Sequence, residues 1–224
     1  MLLVSELCRD SGVVVTEPAD PMADSEQAAV TRRYDRIAQV YDLFELPMDL
    51  MIRRRRRRLL AKASGMTLEV GVGTGRNLGL YQPGVDLVGI DISAKMLERA
   101  HSNTAERGLD VELQVADVHR LPFEDNSFDT VTATCVFCSV ADPIAGLREV
   151  ARVTKPDGHV LLLEHVRPRN PLLGWLADRL SPLTRRLFGP EINRRTEDNI
   201  TRAGLKMTSV DARGVWREIV ARPT

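Results

Sequence analysis

The chain has 224 residues, 43% of them hydrophobic, with 31 basic side chains against 31 acidic ones and a formal net charge of +0. That is enough apolar content for one domain with a full core, and the balanced charge excludes a general affinity for polyanions, leaving only local clusters to attract them. No window approaches 18 uncharged apolar residues, which excludes a spanning helix, and Cys8, Cys135 and Cys138 are too few for a disulfide framework and fit a reducing cytoplasm.

The opening "MLLVSELCRD" has no basic segment before its apolar residues, which argues against a signal peptide, and Met22 is a second candidate start. Residues 1–28 carry scattered acids and prolines without period and read as a flexible tail. From Ala29 the pattern is helical, with Tyr34, Ile37, Ala38, Tyr41 and Phe44 three and four apart. A second helix is expected from Pro47, a favoured first-turn residue, to Gly65. It contains "RRRRRR" at residues 53–58, where Asp49 stands four residues before Arg53 and suits an ion pair.

Strands and helices then alternate. Strands are expected at 67–71, 86–91, 111–117, 128–135 and 159–166. Helices are expected from near Arg76, from Ser93 to about Glu106, and from Pro143 to Val153. Such repetition demands a parallel sheet with helices on both faces. The last stretch, "GLKMTSVDARGVWREIVA", holds two strands joined at Arg213-Gly214, too close for a crossover, so they pair antiparallel. The expected fold is α/β: a doubly wound, Rossmann-like, seven-stranded sheet, mostly parallel, with an antiparallel C-terminal hairpin and N-terminal helices.

The most specific motif is "LEVGVGTGRN", in which a strand delivers Glu69 and then Gly71, Gly73 and Gly75 alternate through a turn. Glycines there let the backbone turn tightly and approach a ligand. The position a dinucleotide fingerprint reserves for a third glycine or alanine is Arg76, and no Gly-Lys-Ser/Thr follows. An acid two residues ahead of the first glycine repels pyrophosphate and suits an ammonium group. Asp91 ends the second strand, where a carboxylate accepts ribose hydroxyls, and Asp117 ends the third. The "CVFC" segment matches a redox pair, yet no second pair accompanies it for zinc. Neither a G-x-S-x-G nor an H-E-x-x-H motif is present, so hydrolytic and zinc chemistry lack support.

On these residues, and on "VADVHRLPFEDNSFDTVTATCVFCSVAD" and "LREVARVTKPDGHVLLLEH", the chain resembles the class I S-adenosylmethionine-dependent methyltransferases over roughly residues 30–210. The resemblance implies S-adenosyl-L-methionine as methyl donor, S-adenosyl-L-homocysteine as product, and no metal. It implies that Glu69, Gly71, Gly73, Thr74 and Gly75 hold the methionine end and Asp91 the ribose. Ile92, Met96, Asp117 and Val118 would surround the adenine, with Cys135 also at the donor. Within the family, "RYDRIAQVYDLFELPM", "FCSVADP" and "INRRTEDNI" are similar to small bacterial enzymes that N-methylate phosphatidylethanolamine; quinone and thiol methyltransferases share parts of these segments.

The acceptor side follows from residues near the expected donor edge. Tyr34 and Tyr41, seven apart on one helical face, cover the site and offer ring faces to a cationic headgroup. His165 ends the fifth strand as a candidate base, and Asn193, Arg194 and Arg195 suit a phosphodiester. Residues 29–64 form an N-terminal cap on a methyltransferase domain spanning 29–224, and 168–192 form a lid or amphipathic insertion. There Leu172, Leu173, Leu176, Leu180, Leu183 and Leu187 recur at helical spacing beside Trp175, Phe188, Arg179, Arg185 and Arg186. That pattern packs on the core or on lipid. The expected partner is a phospholipid, or another small methyl acceptor, with an anionic membrane surface and no nucleic acid. The expected location is cytoplasmic and peripheral to the inner face of the cell membrane. A soluble enzyme acting on a small thiol or quinone is the alternative.

Overall fold

The computed structural model describes residues 21–39, 41–187 and 190–224, with the side chains of 21–26, 42–45 and 185–187 outside that description. The expectations for residues 1–20 and for the side chains of Phe44, Arg185, Arg186, Leu187 and Phe188 therefore lie outside the described residues.

Seven strands form one sheet: β1 (Met66–Val70), β2 (Asp86–Asp91), β3 (Glu112–Val115), β4 (Phe128–Thr134), β5 (Thr154–His165), β6 (Leu205–Arg213) and β7 (Trp216–Pro223). Their order is β3-β2-β1-β4-β5-β7-β6. The first five run parallel, and β7 lies antiparallel to both β5 and β6. This is the expected doubly wound sheet closed by its C-terminal hairpin. The chain reverses its direction of winding between β1 and β4, and a crevice opens at the carboxyl ends of the strands there.

The helices are α1 (Pro21–Ile37), α2 (Tyr41–Leu60), α3 (Ala94–Arg107), α4 (Pro143–Val153), α5 (Pro171–Leu187) and α6 (Thr196–Arg202). Ser93 caps α3 by accepting from the Met96 amide, and Gly108 ends it at φ +63°. Asp142 caps α4 by accepting from the Ile144 and Ala145 amides, with Pro143 in the first turn. On α4, Leu147, Val150 and Val153 are buried in the main core with Leu68, Val131, Val160 and Leu162.

Four local expectations change. α1 begins at Pro21, inside the stretch that lacked period, and α2 begins at Tyr41 and continues through Pro47. After the glycine turn there is one 3-10 turn, Leu78–Leu80, instead of an α-helix; Asn77 and Tyr81 on either side of it turn inward to Glu69, and Pro83 follows. β5 starts at Thr154, its pairing with β4 jumping from Phe128↔Thr154 to Thr130↔His159, so that Pro156 and Gly158 sit in an irregular section.

The arginine run is divided by its helix. Ile52 and Leu59 bury against Leu161, Leu163, Trp216 and Val220, which turns Arg56 inward. Asp49 pairs with Arg56 at 2.6 Å and Arg76 at 3.1 Å, rather than with Arg53. Arg55 and Arg58 both reach the buried Glu218 on β7, and Arg58 also reaches Asp211 on β6, so these two fasten α2 to the hairpin. Arg53, Arg54 and Arg57 remain exposed, on the stripe of α2 that also carries exposed Leu46 and Leu50.

α5 is turned the opposite way from an ordinary surface helix. Its buried positions are Gly174, Ala177 and Ser181, all small. Leu172, Leu173, Trp175, Leu176, Leu180 and Leu183 are exposed, Leu172 at 72%, and Arg179 lies over the Trp175 ring at 5.3 Å. The leucine stripe therefore does not pack on the core. No helix among the described residues is long and apolar enough to cross a membrane.

Candidate functional site

The carboxyl ends of β1, β2 and β4 open into a cavity of about 670 Å³ that α1 roofs with Gln27, Val30 and Tyr34. The sequence-predicted Tyr34, Tyr41, Gly71, Gly73 and Asp91 line it, as do Ile92, Met96, Val118 and Cys135. The glycines are there for backbone reasons. Gly71 has φ +68°, and a Cβ on it would stand 2.5 Å from Val136. Gly73 has φ +58°, and a Cβ on it would meet no protein atom within 4 Å.

Asp91 is prepared to accept hydrogen bonds. Its Oδ2 accepts from the Gly73 amide at 2.8 Å and its Oδ1 from the Ser93 amide at 2.9 Å. Burial raises its pKa, and the amides of Ser93, Gly73 and Ile92 oppose that rise. Asp35 of α1 reaches the Ser93 hydroxyl beside it.

Glu69 lies beneath the cavity rather than on its wall, only 1% exposed. It accepts from Asn77 Nδ2 at 2.8 Å and from the Tyr81 hydroxyl at 2.9 Å, and Tyr81 in turn meets Thr132. Burial pushes its carboxyl up to about 7, against the hydrogen bonds of Asn77 and Tyr81 and the charge of Arg56. Asn77 Oδ1 is buried with no hydrogen-bond partner, which leaves an acceptor without a donor next to this carboxylate.

The remaining predicted residues divide. Thr74 is buried, and its carbonyl accepts from Asn103 at 2.8 Å. Gly75, at φ +82°, packs on Leu78 and Ala100. Asp117 stands beside the cavity, where its Oδ1 accepts from Gln27 Nε2 at 3.0 Å, from the His119 amide at 2.9 Å and from the His119 ring at 2.8 Å. Burial alone would raise its pKa, but the bonds from His119 hold it below the usual range.

His165 does not line the cavity. It sits edge-on to Trp216 with ring centroids 6.0 Å apart, and burial lowers its pKa. β5 ends there, and pairing with Trp216 on β7 directs the ring to the hairpin side. Asn193 is engaged as well: its Oδ1 accepts from Ser181 at 2.6 Å, and its Nδ2 donates to Asp178 at 3.2 Å. Arg194 donates to the Val140 carbonyl at 2.8 Å and pairs with Glu191 at 3.1 Å, whereas Arg195 is exposed.

Sequence reasoning missed Gln27 and Ser139. Gln27 lay in the stretch without period, so no local signal marked it. Ser139 lines the cavity and accepts from the Tyr34 hydroxyl at 2.9 Å, with Tyr41 edge-on to Tyr34 at 6.2 Å. The loop carrying it is held from below by buried Glu164, whose Oε1 accepts the Val136 and Phe137 amides. Cys135 adopts φ +57°, and its carbonyl accepts from the buried Cys138 thiol at 3.3 Å. No group of three or more potential metal ligands occurs among the described residues.

The described lining thus offers the Asp91 carboxylate, the phenols of Tyr34 and Tyr41, the hydroxyls of Thr134 and Ser139, the Gln27 amide, the Cys135 thiol and apolar walls, without a paired nucleophile and base. Such a site binds, orients and excludes water. Comparison with known proteins agrees. A methyltransferase-domain family model matches residues 68–162. A phosphatidylethanolamine N-methyltransferase of Cereibacter sphaeroides is 37% identical over 169 residues, covering 68% of this chain and 83% of that protein. A demethylmenaquinone methyltransferase of Deinococcus radiodurans is 33% identical over 171 residues, 72% and 71% of the two chains. The solved YcgJ protein of Bacillus subtilis, 21% identical, superposes with a TM-score of 0.60 over 75% of this chain and 95% of its own, a likeness of fold.

Proposed function

The chain belongs to the class I S-adenosylmethionine-dependent methyltransferases, and within that family we propose that it N-methylates the ethanolamine headgroup of a phospholipid at a membrane surface. The observation that carries the acceptor class is α5, which turns six large apolar side chains to solvent beside Arg179. Exposing them is unfavourable in water and favourable at a bilayer interface. Exposed Arg53, Arg54 and Arg57 add charge suited to an anionic leaflet. The similarity to a phosphatidylethanolamine N-methyltransferase supports the same reading. The protein would then work peripherally at the inner face of the cell membrane.

The cavity fits the donor. Its largely apolar lining with the Asp91 carboxylate at one edge suits a nucleoside. The open space at Gly73 lets the backbone approach, Asp91 keeps lone pairs for ribose hydroxyls, and the buried Glu69 beneath the floor supplies a negative charge that favours an ammonium group above it. When bound, the donor supplies a methyl group already activated on a sulfonium. The protein's part is alignment and exclusion of water. α1 closes the site through Gln27 and Tyr34. Tyr34, held by its hydrogen bond to Ser139, forms the wall against which the acceptor amine is oriented for in-line attack. Tyr41 presents a ring to the headgroup cation. The headgroup ammonium gives its proton to solvent before the site closes and the free amine then attacks, since His165 does not line the cavity.

C-methylation of a quinone is a second reading, favoured by the similarity to a demethylmenaquinone methyltransferase. The test is incubation with labelled donor and a panel of phosphatidylethanolamine vesicles, quinones and thiols, with mass analysis of products. Label on the ethanolamine nitrogen is expected; label on a quinone or thiol with unlabelled lipid overturns the reading. In parallel, Leu176→Ser with Leu183→Ser is expected to weaken vesicle binding about tenfold or more without lowering stability, since both side chains are already exposed.

A further inference from the structure

Arg194 belongs to two surroundings. It donates to the carbonyl of Val140, a wall residue of the donor cavity, and it also lines a second cavity of about 330 Å³. Five arginines line this second space, Arg167, Arg169, Arg194, Arg195 and Arg217, together with Glu197 and Asp198. Some of that charge is spoken for. Arg167 is paired with Asp178 at 2.8 Å and Arg194 with Glu191 at 3.1 Å. Arg169 comes only within 3.9 Å of Glu197, and Arg195 makes no ion pair or hydrogen bond among the described residues.

The base of the cavity is unusual. Arg217 is 1% exposed; its Nε donates to Glu197 at 2.7 Å and its Nη1 to the Gly214 and Trp216 carbonyls at 2.9 Å each, while Nη2 makes no protein hydrogen bond and is not sealed from solvent. Next to it in the wall, the Thr196 hydroxyl is buried in a residue 1% exposed and has no hydrogen-bond partner. A buried hydroxyl left unsatisfied at a cavity wall destabilises the fold unless something bonds it. The Thr196 hydroxyl and Arg217 Nη2 below, with Arg195 and the loosely paired Arg169 at the rim, offer donors to an anion with several acceptor oxygens, and guanidinium groups match phosphate oxygens well.

We propose that this second cavity is a phosphate-group site, distinct from the donor cavity, with Thr196 and Arg217 as its floor and Arg195 and Arg169 as its rim. The ligand is a phosphate monoester or diester. Asp178 bonds Arg167 and Asn193 from α5, so the site adjoins the helix whose apolar face is exposed. That adjacency favours a lipid phosphate over free phosphate, and only this choice of carrier rests on the lipid reading above.

The test uses calorimetry on the full chain with inorganic phosphate and, separately, dihexanoylphosphatidylglycerol below its micelle concentration. At least one is expected to bind, and Thr196→Val to weaken it about tenfold or more, as loss of a hydrogen bond to a charged group does. Arg195→Gln is expected to weaken it as well. Thr196→Val removes a hydroxyl that bonds nothing in the free protein, so thermal unfolding should be unchanged or shifted upward. Its affinity for S-adenosylhomocysteine should equal that of the unaltered protein, which separates this site from the methyltransferase reading. Tighter binding of the lipid assigns a headgroup, and tighter binding of inorganic phosphate assigns a free anion. Binding of neither compound, or equal binding by Thr196→Val, overturns the proposal.

Discussion

Replacing Glu69 with glutamine separates two opposed demands on one side chain. Burial lifts its carboxyl from the usual 4.5 to about 7, a difference of about 2.5 units or about 3 kcal/mol between the two protonation states. The folded state binds the proton more tightly than the unfolded chain does. This contribution is therefore absent below pH 4.5, grows as a penalty while pH rises toward 7, and is complete above 7. Glu69→Gln keeps an oxygen for Asn77 and an amide for Tyr81 without the charge. It should be more stable than the unaltered protein by up to about 3 kcal/mol at pH 8.5, with the gain vanishing near pH 4.5. Glu164, also lifted to about 7 by burial, tilts both proteins equally and cancels in the difference. S-adenosylhomocysteine affinity should behave oppositely: falling about tenfold per pH unit below 7 in the unaltered protein, and low and flat in the variant. Urea unfolding and calorimetry at pH 5, 7 and 8.5 measure both. A stability difference that does not change with pH, or full ligand affinity in Glu69→Gln, would refute the reasoning.

Gly73→Ala puts a Cβ on a residue at φ +58° that lines the donor cavity, so a stability loss of about 1–2 kcal/mol should accompany at least a tenfold loss of donor affinity. Calorimetry showing unchanged affinity would remove the backbone-approach argument. Changing Arg53, Arg54 and Arg57 together to glutamine should weaken binding to anionic vesicles by about two orders of magnitude at about 1 kcal/mol each, with donor affinity intact. Co-sedimentation equal to that of the unaltered protein would return these arginines to plain surface.

The sheet was legible because its signals are local. Strand length, the glycine turn after β1, Asp91 at the end of β2 and the tight Arg213-Gly214 link each depend on neighbours in the chain. The failures involve partners far away in sequence. Arg58 reaches Glu218 across 160 positions, and Gln27 reaches Asp117 across 90, pairings no periodicity announces. Asp49 finds Arg56 because Ile52 and Leu59 set which face of α2 is buried, a choice made by β5 and β7. The 3-10 turn after the glycines reflects the inward turn of Asn77 and Tyr81 toward Glu69, and propensity has no voice there. His165 was right as to strand end and wrong as to direction, since the antiparallel register with Trp216 decides where its ring lies.

The inside-out polarity of α5 has a bearing on when that helix is fully formed. Gly174, Ala177 and Ser181 give it little apolar area to bury on the domain, so packing supplies only a small share of its stability. Its hold on the protein relies on the Asp178 bonds to Arg167 and Asn193 and on the Asn170 side chain, which accepts from the first-turn amides of Leu172 and Leu173. An element so weakly fastened exchanges its amide hydrogens early in water and becomes protected when its leucines are covered. The order of this segment is thereby a property shared between the protein and whatever surface it meets, and amide exchange with and without vesicles would read that shared order directly.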